Sequence, residues 1–132
     1  MRILLDTNVI ISALLFGGKP RTILQSVIRK QYSAVTSPVL LSELADVLRK
    51  KFLYSNGGVA AVDQQIRKQC DIVLPKETID ILADMPDNRV LEAAVEGECD
   101  VIVTGDADLL ALKKYRNIQI LSPEEFLRVT KD

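Results

Sequence analysis

The chain has no histidine, no tryptophan and only two cysteines among its 132 residues. Without histidine there is no Ser-His-Asp or Cys-His nucleophile and no imidazole zinc site. Acid–base or metal chemistry must run mainly on carboxylates. Cys70 and Cys99 stand far apart with no CxxC pair. They read as apolar fillers suited to a reducing compartment, with a disulfide the lesser alternative. Aromatics are scarce at 5%, too few for a broad base-stacking platform. Charge of one sign is also missing: the net charge is −1. The chain as a whole is therefore no nonspecific binder of polyanions, though local basic patches can still hold phosphates. No apolar run approaches a membrane span. Asp6 interrupts what would be the apolar region of a signal peptide. The expectation is a soluble, cytoplasmic protein with no membrane association.

What is present is enough apolar residue, 48%, for a real core, in a length that suits one domain over residues 1–132. The opening MRILLDTN sets the theme. Arg2–Leu5 is a short buried-strand pattern. It stops on Asp6, passes through Thr7 and Asn8, and enters a new apolar run, Val9–Phe16. In open α/β sheets, ligands sit beyond the carboxyl ends of the strands. The plainer alternative is that Asp6 only caps the helix that follows.

Further along, Gly17-Gly18 breaks the first helix, and Pro20–Lys30 carries a second, with Ile23, Leu24, Val27 and Ile28 inward. Tyr32–Thr36 reads as a strand. Ser37-Pro38 supplies an N-cap and an N1 proline for a helix reaching about Lys50, with Val39, Leu40, Leu44, Val47 and Leu48 inward. Glu43 shares that stripe, which invites a partner; alternatively it sits on the stripe's edge with its head in water. Ser55–Gly58 reads as a loop, Val59–Cys70 as a weak helix and Asp71–Leu74 as a strand. Lys76–Met85 is ambiguous, with Thr78–Leu82 either a short strand or a turn of helix. Pro86-Asp87-Asn88 opens a helix that closes at Gly97. Asp100–Thr104 is a β-branched strand that, like the first, ends on acid, in Gly105-Asp106-Ala107-Asp108. Leu109–Lys113 begins a helix, Ile118–Leu121 is a last strand, and Ser122-Pro123-Glu124-Glu125 forms a capping box for a terminal helix, Phe126–Val129. Strands alternating with helices predict a parallel sheet covered on both faces.

Right-handed crossovers between neighbouring parallel strands place their ends on one edge, so Asp6 and Asp106 are expected side by side. Asp87 and Glu43 point the same way. Crowded carboxylates repel unless a positive charge sits between them. In a chain without histidine the natural counter-ion is a hard, oxygen-seeking Mg²⁺ or Mn²⁺. Asp84, Asp87, Asn88, Asp106 and Asp108 offer further ligands or water-holders, and Thr7, Asn8 and Thr104 are candidates to position water or a phosphate. One or two such ions polarise a phosphodiester and activate water, as in two-metal nucleases. Each acid also has a structural alternative, since Asp106 and the Pro86-Asp87-Asn88 turn could serve only as helix starts.

LLDTNVIISALL at 4–15, the Ser37-Pro38 helix with Glu43, DMPDNRVLEAA at 84–94, DVIVTGDADLLAL at 100–112 and ILSPEEFL at 120–127 together resemble the PIN domain. The likeness is greatest to its toxin components of toxin–antitoxin systems, and it spans essentially the whole chain. It implies a three-layer α/β/α sandwich with a central parallel sheet. It also implies an Mg²⁺- or Mn²⁺-dependent ribonuclease whose catalytic acids are Asp6, Glu43 and Asp106, with Asp108 an additional metal ligand. The third acid departs from the family pattern: Asn88 falls where many members carry the helix-start acid, with Asp87 just before it. Either Asp87 takes over as ligand or Asn88 binds through its carbonyl. The implied partners are RNA, a cognate antitoxin and a second copy of the chain in a homodimer.

Candidate basic contacts for RNA are Lys19, Arg21, Arg49-Lys50-Lys51, Arg89 and Lys113-Lys114-Arg116. Charge runs of this kind are more often solvated faces. Two rival readings are an inactive PIN scaffold serving as an RNA- or protein-interaction module, and a phosphoacceptor or phosphatase domain with Asp6 as nucleophile. The second lacks the other aspartate of a DxDxT pattern.

Overall fold

Short, β-branched segments and the caps between them build the architecture. The computed structural model describes residues 1–130; Lys131 and Asp132, the end of the expected domain, lie outside the described residues. In chain order the elements are β1 (Arg2–Leu5), α1 (Thr7–Leu15), α2 (Gly18–Ile28), β2 (Ser33–Thr36), α3 (Pro38–Phe52), α4 (Asn56–Gln69), β3 (Cys70–Ile72), α5 (Met85–Glu96), β4 (Val101–Val103), α6 (Ala107–Leu112), β5 (Lys114–Tyr115), β6 (Ile118–Leu121) and α7 (Pro123–Thr130). The strands form one sheet in the order β3-β2-β1-β4-β6-β5. All neighbours run parallel except β5, which returns antiparallel against β6. Among the described residues no helix is long and apolar enough to cross a membrane.

Successive side chains on a strand point to opposite faces, so β1 feeds two cores. Ile3 and Leu5 pack with Val9, Ile23, Leu44, Leu48 and Phe126 on the face covered by α1–α4 and α7. Leu4 packs with Val35, Val90, Leu91, Ile102 and Leu109 on the face of α5 and α6. Ile3, Leu4 and Leu5 of β1 and Val101–Val103 of β4 are apolar throughout, as suits strands buried on both faces. Phe126 is fully enclosed and meets Tyr32 edge-on, with ring centroids 5.3 Å apart. Burial on this scale contributes about 1.5–3 kcal/mol per large apolar side chain.

The local signals acted as expected at several ends. Ser37 accepts from the Leu40 amide (3.3 Å). Ser122 and Glu125 close the capping box in both directions, at 3.1 and 2.9 Å. Gly17 adopts φ +79° between α1 and α2, a conformation that favours glycine. Other expectations are corrected. Val39 is 52% exposed; the inward stripe of α3 is Leu40, Leu41, Leu44 and Leu48. With about 100° of turn per residue, Val39 falls on the flank beyond Leu40. Ser55–Gly58 is no loop: Ser55 caps α4 through the Gly58 amide (3.0 Å), and Asn56–Gly58 form its first turn. Thr78–Leu82 is neither strand nor helix. The β5 hairpin had no apolar alternation to reveal it.

Gly97, at the end of α5, lies against the sheet. A Cβ there would stand 2.6 Å from Val35 Cγ1 and 3.0 Å from Cγ2. Gly97→Ala is therefore expected to destabilise by about 1–3 kcal/mol through overpacking. A denaturant midpoint equal to that of the wild type would refute this close approach.

Candidate active site

The register of β1 against β4 builds the site. Leu5 pairs with Val103, so the next residues, Asp6 and Thr104, stand level at the carboxyl edge. Asp6 is 5% exposed. Its Oδ1 accepts from the Thr7 amide (2.7 Å) and its Oδ2 from the Thr104 hydroxyl (2.7 Å). The Thr104 hydroxyl oxygen accepts in turn from the Asp106 amide (2.9 Å). One enclosed hydroxyl thus links the acid ending β1 to the acid following β4. Thr104 is wholly buried, so its hydroxyl serves the Asp6 carboxylate and the Asp106 main-chain amide and is not open to solvent. Asn8 is exposed and accepts from the Gly105 amide at 3.4 Å, tying together the same two turns.

Asp106 caps α6 by accepting from the Leu109 amide (3.0 Å) through Oδ2. Capping and cluster membership coexist, because a carboxylate has a second oxygen. One oxygen each from Asp87, Asp106 and Asp108 lie within 4.8 Å of one another. Asp87 is 7% exposed, and its Oδ2 has no hydrogen-bond partner. Burial, the Asp106 carboxylate beside it, and Asp84 and Asp6 beyond push the Asp87 carboxyl up to about 7. Burial also raises Asp6, with Asp106 adding to the effect and the Thr104 and Thr7 bonds opposing it. Glu43, half-buried on α3, is raised by burial and by the charges of Asp6 and Asp84, against a hydrogen bond from the Thr7 hydroxyl.

The structure therefore gathers Asp6, Glu43, Asp87 and Asp106 into one electrostatic group, with Asp108 at its exposed side. Asp84, expected only as a spare ligand, joins it: it is the N-cap of α5, but its side chain makes no capping bond. Asn88 takes no part. It is fully enclosed, and its amide is engaged with the main chain of Ile81 and Leu82. Of the two neighbours, Asp87 is the one at the cluster.

Among the basic candidates, Arg89 is bound to Glu92 (2.8 Å) and the Ile79 carbonyl (3.1 Å). Arg21 donates to the carbonyls of Ala13 and Leu14 at the end of α1, and Arg116 pairs with Glu77. Lys50, Lys51, Lys113 and Lys114 are exposed and without an ion pair among the described residues. Sequence reasoning did not single out Glu92, whose only signal was an acid inside the apolar run VLEAA.

A buried carboxylate with an orphaned oxygen, grouped with two more carboxylates and no imidazole or thiolate, fits a hard divalent cation. Replacing Thr104 by the isosteric Val should lower metal affinity about tenfold or more, because hydrogen bonds behind a ligand set fix its direction. Titration of Thr104→Val with Mn²⁺ would test this, and wild-type affinity would refute it.

Fold and carboxylates together define the class: an α/β/α protein with a mostly parallel sheet and a cluster of acidic side chains, able to hold a cation, at the sheet's carboxyl edge. A family model describing the PIN domain matches residues 2–108, and the chain belongs to the PIN-domain family, a family of nucleases that use divalent metals. The fold is also similar to solved structures. VapBC2 from Rickettsia felis, bound to a DNA fragment from its promoter, matches with a TM-score of 0.62 at 15% identity, over 91% of this chain and 97% of that one. VapBC-1 from nontypeable Haemophilus influenzae gives 0.62 at 15% identity, over 94% and 99%. FitAcB from Neisseria gonorrhoeae gives 0.56 at 16% identity, over 92% and 98%. At these identities the likeness is one of fold. No curated protein matches the chain.

Proposed function

We propose that the chain is a Mg²⁺- or Mn²⁺-dependent endoribonuclease and the toxin of a toxin–antitoxin pair. The observation that carries the catalytic reading is the buried Asp87 carboxylate, which has an unpartnered oxygen and groups with Asp106 and Asp108 within 4.8 Å. Asp87, Asp106 and Asp108 would hold the cation, with Asp6 and Glu43 completing the acidic set. When bound, such an ion polarises a phosphodiester and makes water a better nucleophile. The chain's own contribution is orientation. Thr7 and Thr104 hold the two oxygens of Asp6, and Thr104 and the first turn of α6 hold Asp106. The N-termini of α1, α3, α5 and α6 lie at this edge, and their partial positive charge favours an approaching phosphate.

The toxin role is supported by the sequence likeness to that branch of the family and by the fold shared with VapBC2, VapBC-1 and FitAcB. A partner protein, whether an antitoxin or a second copy, has a surface available. An apolar groove of about 300 Å³ opens beside Leu14, Leu24, Ile28, Val62 and Ile66. The phosphatase alternative finds no support, since both oxygens of Asp6 are engaged and the group is buried. The inactive-scaffold alternative keeps the same fold and acids, so turnover alone separates it from the enzyme.

The test is RNA cleavage by the purified chain with Mg²⁺ or Mn²⁺. Cleavage is expected to disappear with chelator and with Asp6→Asn. Wild-type rates under either condition would reject the mechanism.

A further inference from the structure

The stretch from Leu74 to Asp84 is irregular, and none of its main-chain N–H groups finds a main-chain acceptor among the described residues. Main-chain N–H groups at a packed surface need partners, and side chains of α5 supply them at Lys76, Ile79, Ile81 and Leu82. Glu96 accepts from the Lys76 amide (3.0 Å) and Glu92 from the Ile79 amide (2.8 Å). Asn88 Oδ1 accepts from the amides of Ile81 (3.2 Å) and Leu82 (3.0 Å), and its Nδ2 donates to the Leu82 carbonyl (2.9 Å). The Arg89 guanidinium holds the Ile79 carbonyl (3.1 Å), and the Ile79 side chain is 3% exposed. Asn88, Glu92 and Glu96 are spaced four residues apart, which puts them on one face of the helix. They form a side-chain ladder that straps the segment along α5 in place of a sheet partner.

The ladder's upper rung stands at the candidate active site. Leu82 is two residues before Asp84, and Asn88 follows Asp87 directly. The Asp87 amide itself donates to the Asp84 carbonyl (3.1 Å) in the first turn of α5. We propose that Asn88 is a positioning residue. By fixing Ile81 and Leu82 it sets where the chain turns into α5, and so how Asp84 and Asp87 are presented to the acidic cluster. This rests on the reading of that cluster as a cation site, and it explains why an amide fills a position beside the ligands without joining them. An asparagine fits here and a carboxylate does not, because the Leu82 carbonyl requires a donor as well as the acceptor that both amides need.

The test compares the two ends of the ladder in the full chain: Asn88→Ala at the upper rung and Glu96→Ala at the lower. In metal-free buffer, Asn88→Ala should speed hydrogen exchange at the amides of Ile81, Leu82 and Asp87. Glu96→Ala should speed it at Lys76 and leave Asp87 unchanged. Mn²⁺ affinity should fall about tenfold or more in Asn88→Ala, the usual effect of removing a group that orients a ligand, and stay at the wild-type value in Glu96→Ala. A merely structural role would move both variants alike, or neither. Wild-type exchange at Asp87 in Asn88→Ala overturns the proposal. So does equal loss of Mn²⁺ affinity in the two variants. If the wild-type chain fails to bind Mn²⁺, the cation reading falls, and the exchange at Asp87 still decides whether Asn88 positions it. Should Asn88→Ala not fold, Asn88→Asp keeps the acceptor and removes the donor to Leu82, and measuring it at a pH below about 4 keeps the new carboxyl largely uncharged. The same exchange measurements then apply, with a smaller acceleration at Asp87 expected and none overturning the proposal.

Discussion

Asp87→Asn should reduce metal-dependent RNA cleavage by roughly two to three orders of magnitude, the scale seen when one preorganised electrostatic contact is removed. In chelator the same variant should be more stable than the wild type. Asp87 is a buried carboxylate with an unpartnered oxygen, facing Asp106 and within the field of Asp84 and Asp6. Neutralising it removes the like-charge repulsion, and the new amide can donate to Asp106. A rise in melting temperature of about 3–8 °C corresponds to 1–2 kcal/mol in a domain of this size. Asp6→Asn should behave differently. Both Asp6 oxygens accept, from the Thr7 amide and the Thr104 hydroxyl, and an amide nitrogen set against either donor loses a bond. That variant should lose cleavage without gaining stability. Thermal melts in chelator and cleavage assays with Mn²⁺ separate the two cases. Lower apo stability of Asp87→Asn would show that Asp87 is held by something other than a cation.

In metal-free buffer, stability should fall as pH rises from about 4 to about 7. The Asp87 carboxyl is raised to about 7 in the folded chain, against about 3.9 for an unfolded aspartate. Between these values the native state holds a proton that the unfolded state has lost. Stability therefore decreases with pH across this window and levels off above it. The expected loss is on the order of 2 kcal/mol, allowing for water at the mouth of the site. Mn²⁺ should have the opposite dependence. Carboxylates must be deprotonated to bind it, so the increase in melting temperature on adding the ion should grow from pH 5.5 to pH 8. Melting curves over this range, with and without Mn²⁺, check both slopes. Asp87→Asn should flatten the metal-free one. A metal-free stability that rises between pH 5 and pH 7 would mean that Asp87 is not the group under strain.

Much of this site was legible along the chain because its signals are local. An apolar run ending on Asp6 and a β-branched one ending near Asp106 mark two buried strands and their carboxyl edge. Ser37-Pro38 and the Ser122–Glu125 box announce helix starts through groups that bond within three or four residues. At these places strand and cap fell as read, whereas the Ser55 cap, equally local, was masked by the Gly57-Gly58 pair that follows it.

What the linear order left undecided depends on which face of an element meets its neighbour. Asp87 and Asn88 are adjacent in one helical turn, and only the docking of α5 on the sheet directs the first to the carboxylates and the second to the strap. Thr104 meets Asp6 across 98 positions of sequence, a pairing set by strand register alone. Arg89, read as a candidate contact for RNA, is held by Glu92 and Ile79 because α5 carries the strap on that side. Sequence by itself determined the α/β alternation, the helix caps and the carboxylates available, since these follow from the preferences of a few neighbouring residues. Tertiary structure alone decided which oxygens converge and which are already bonded, because a carboxylate's role depends on the donors and charges around it, and those arrive from distant parts of the chain.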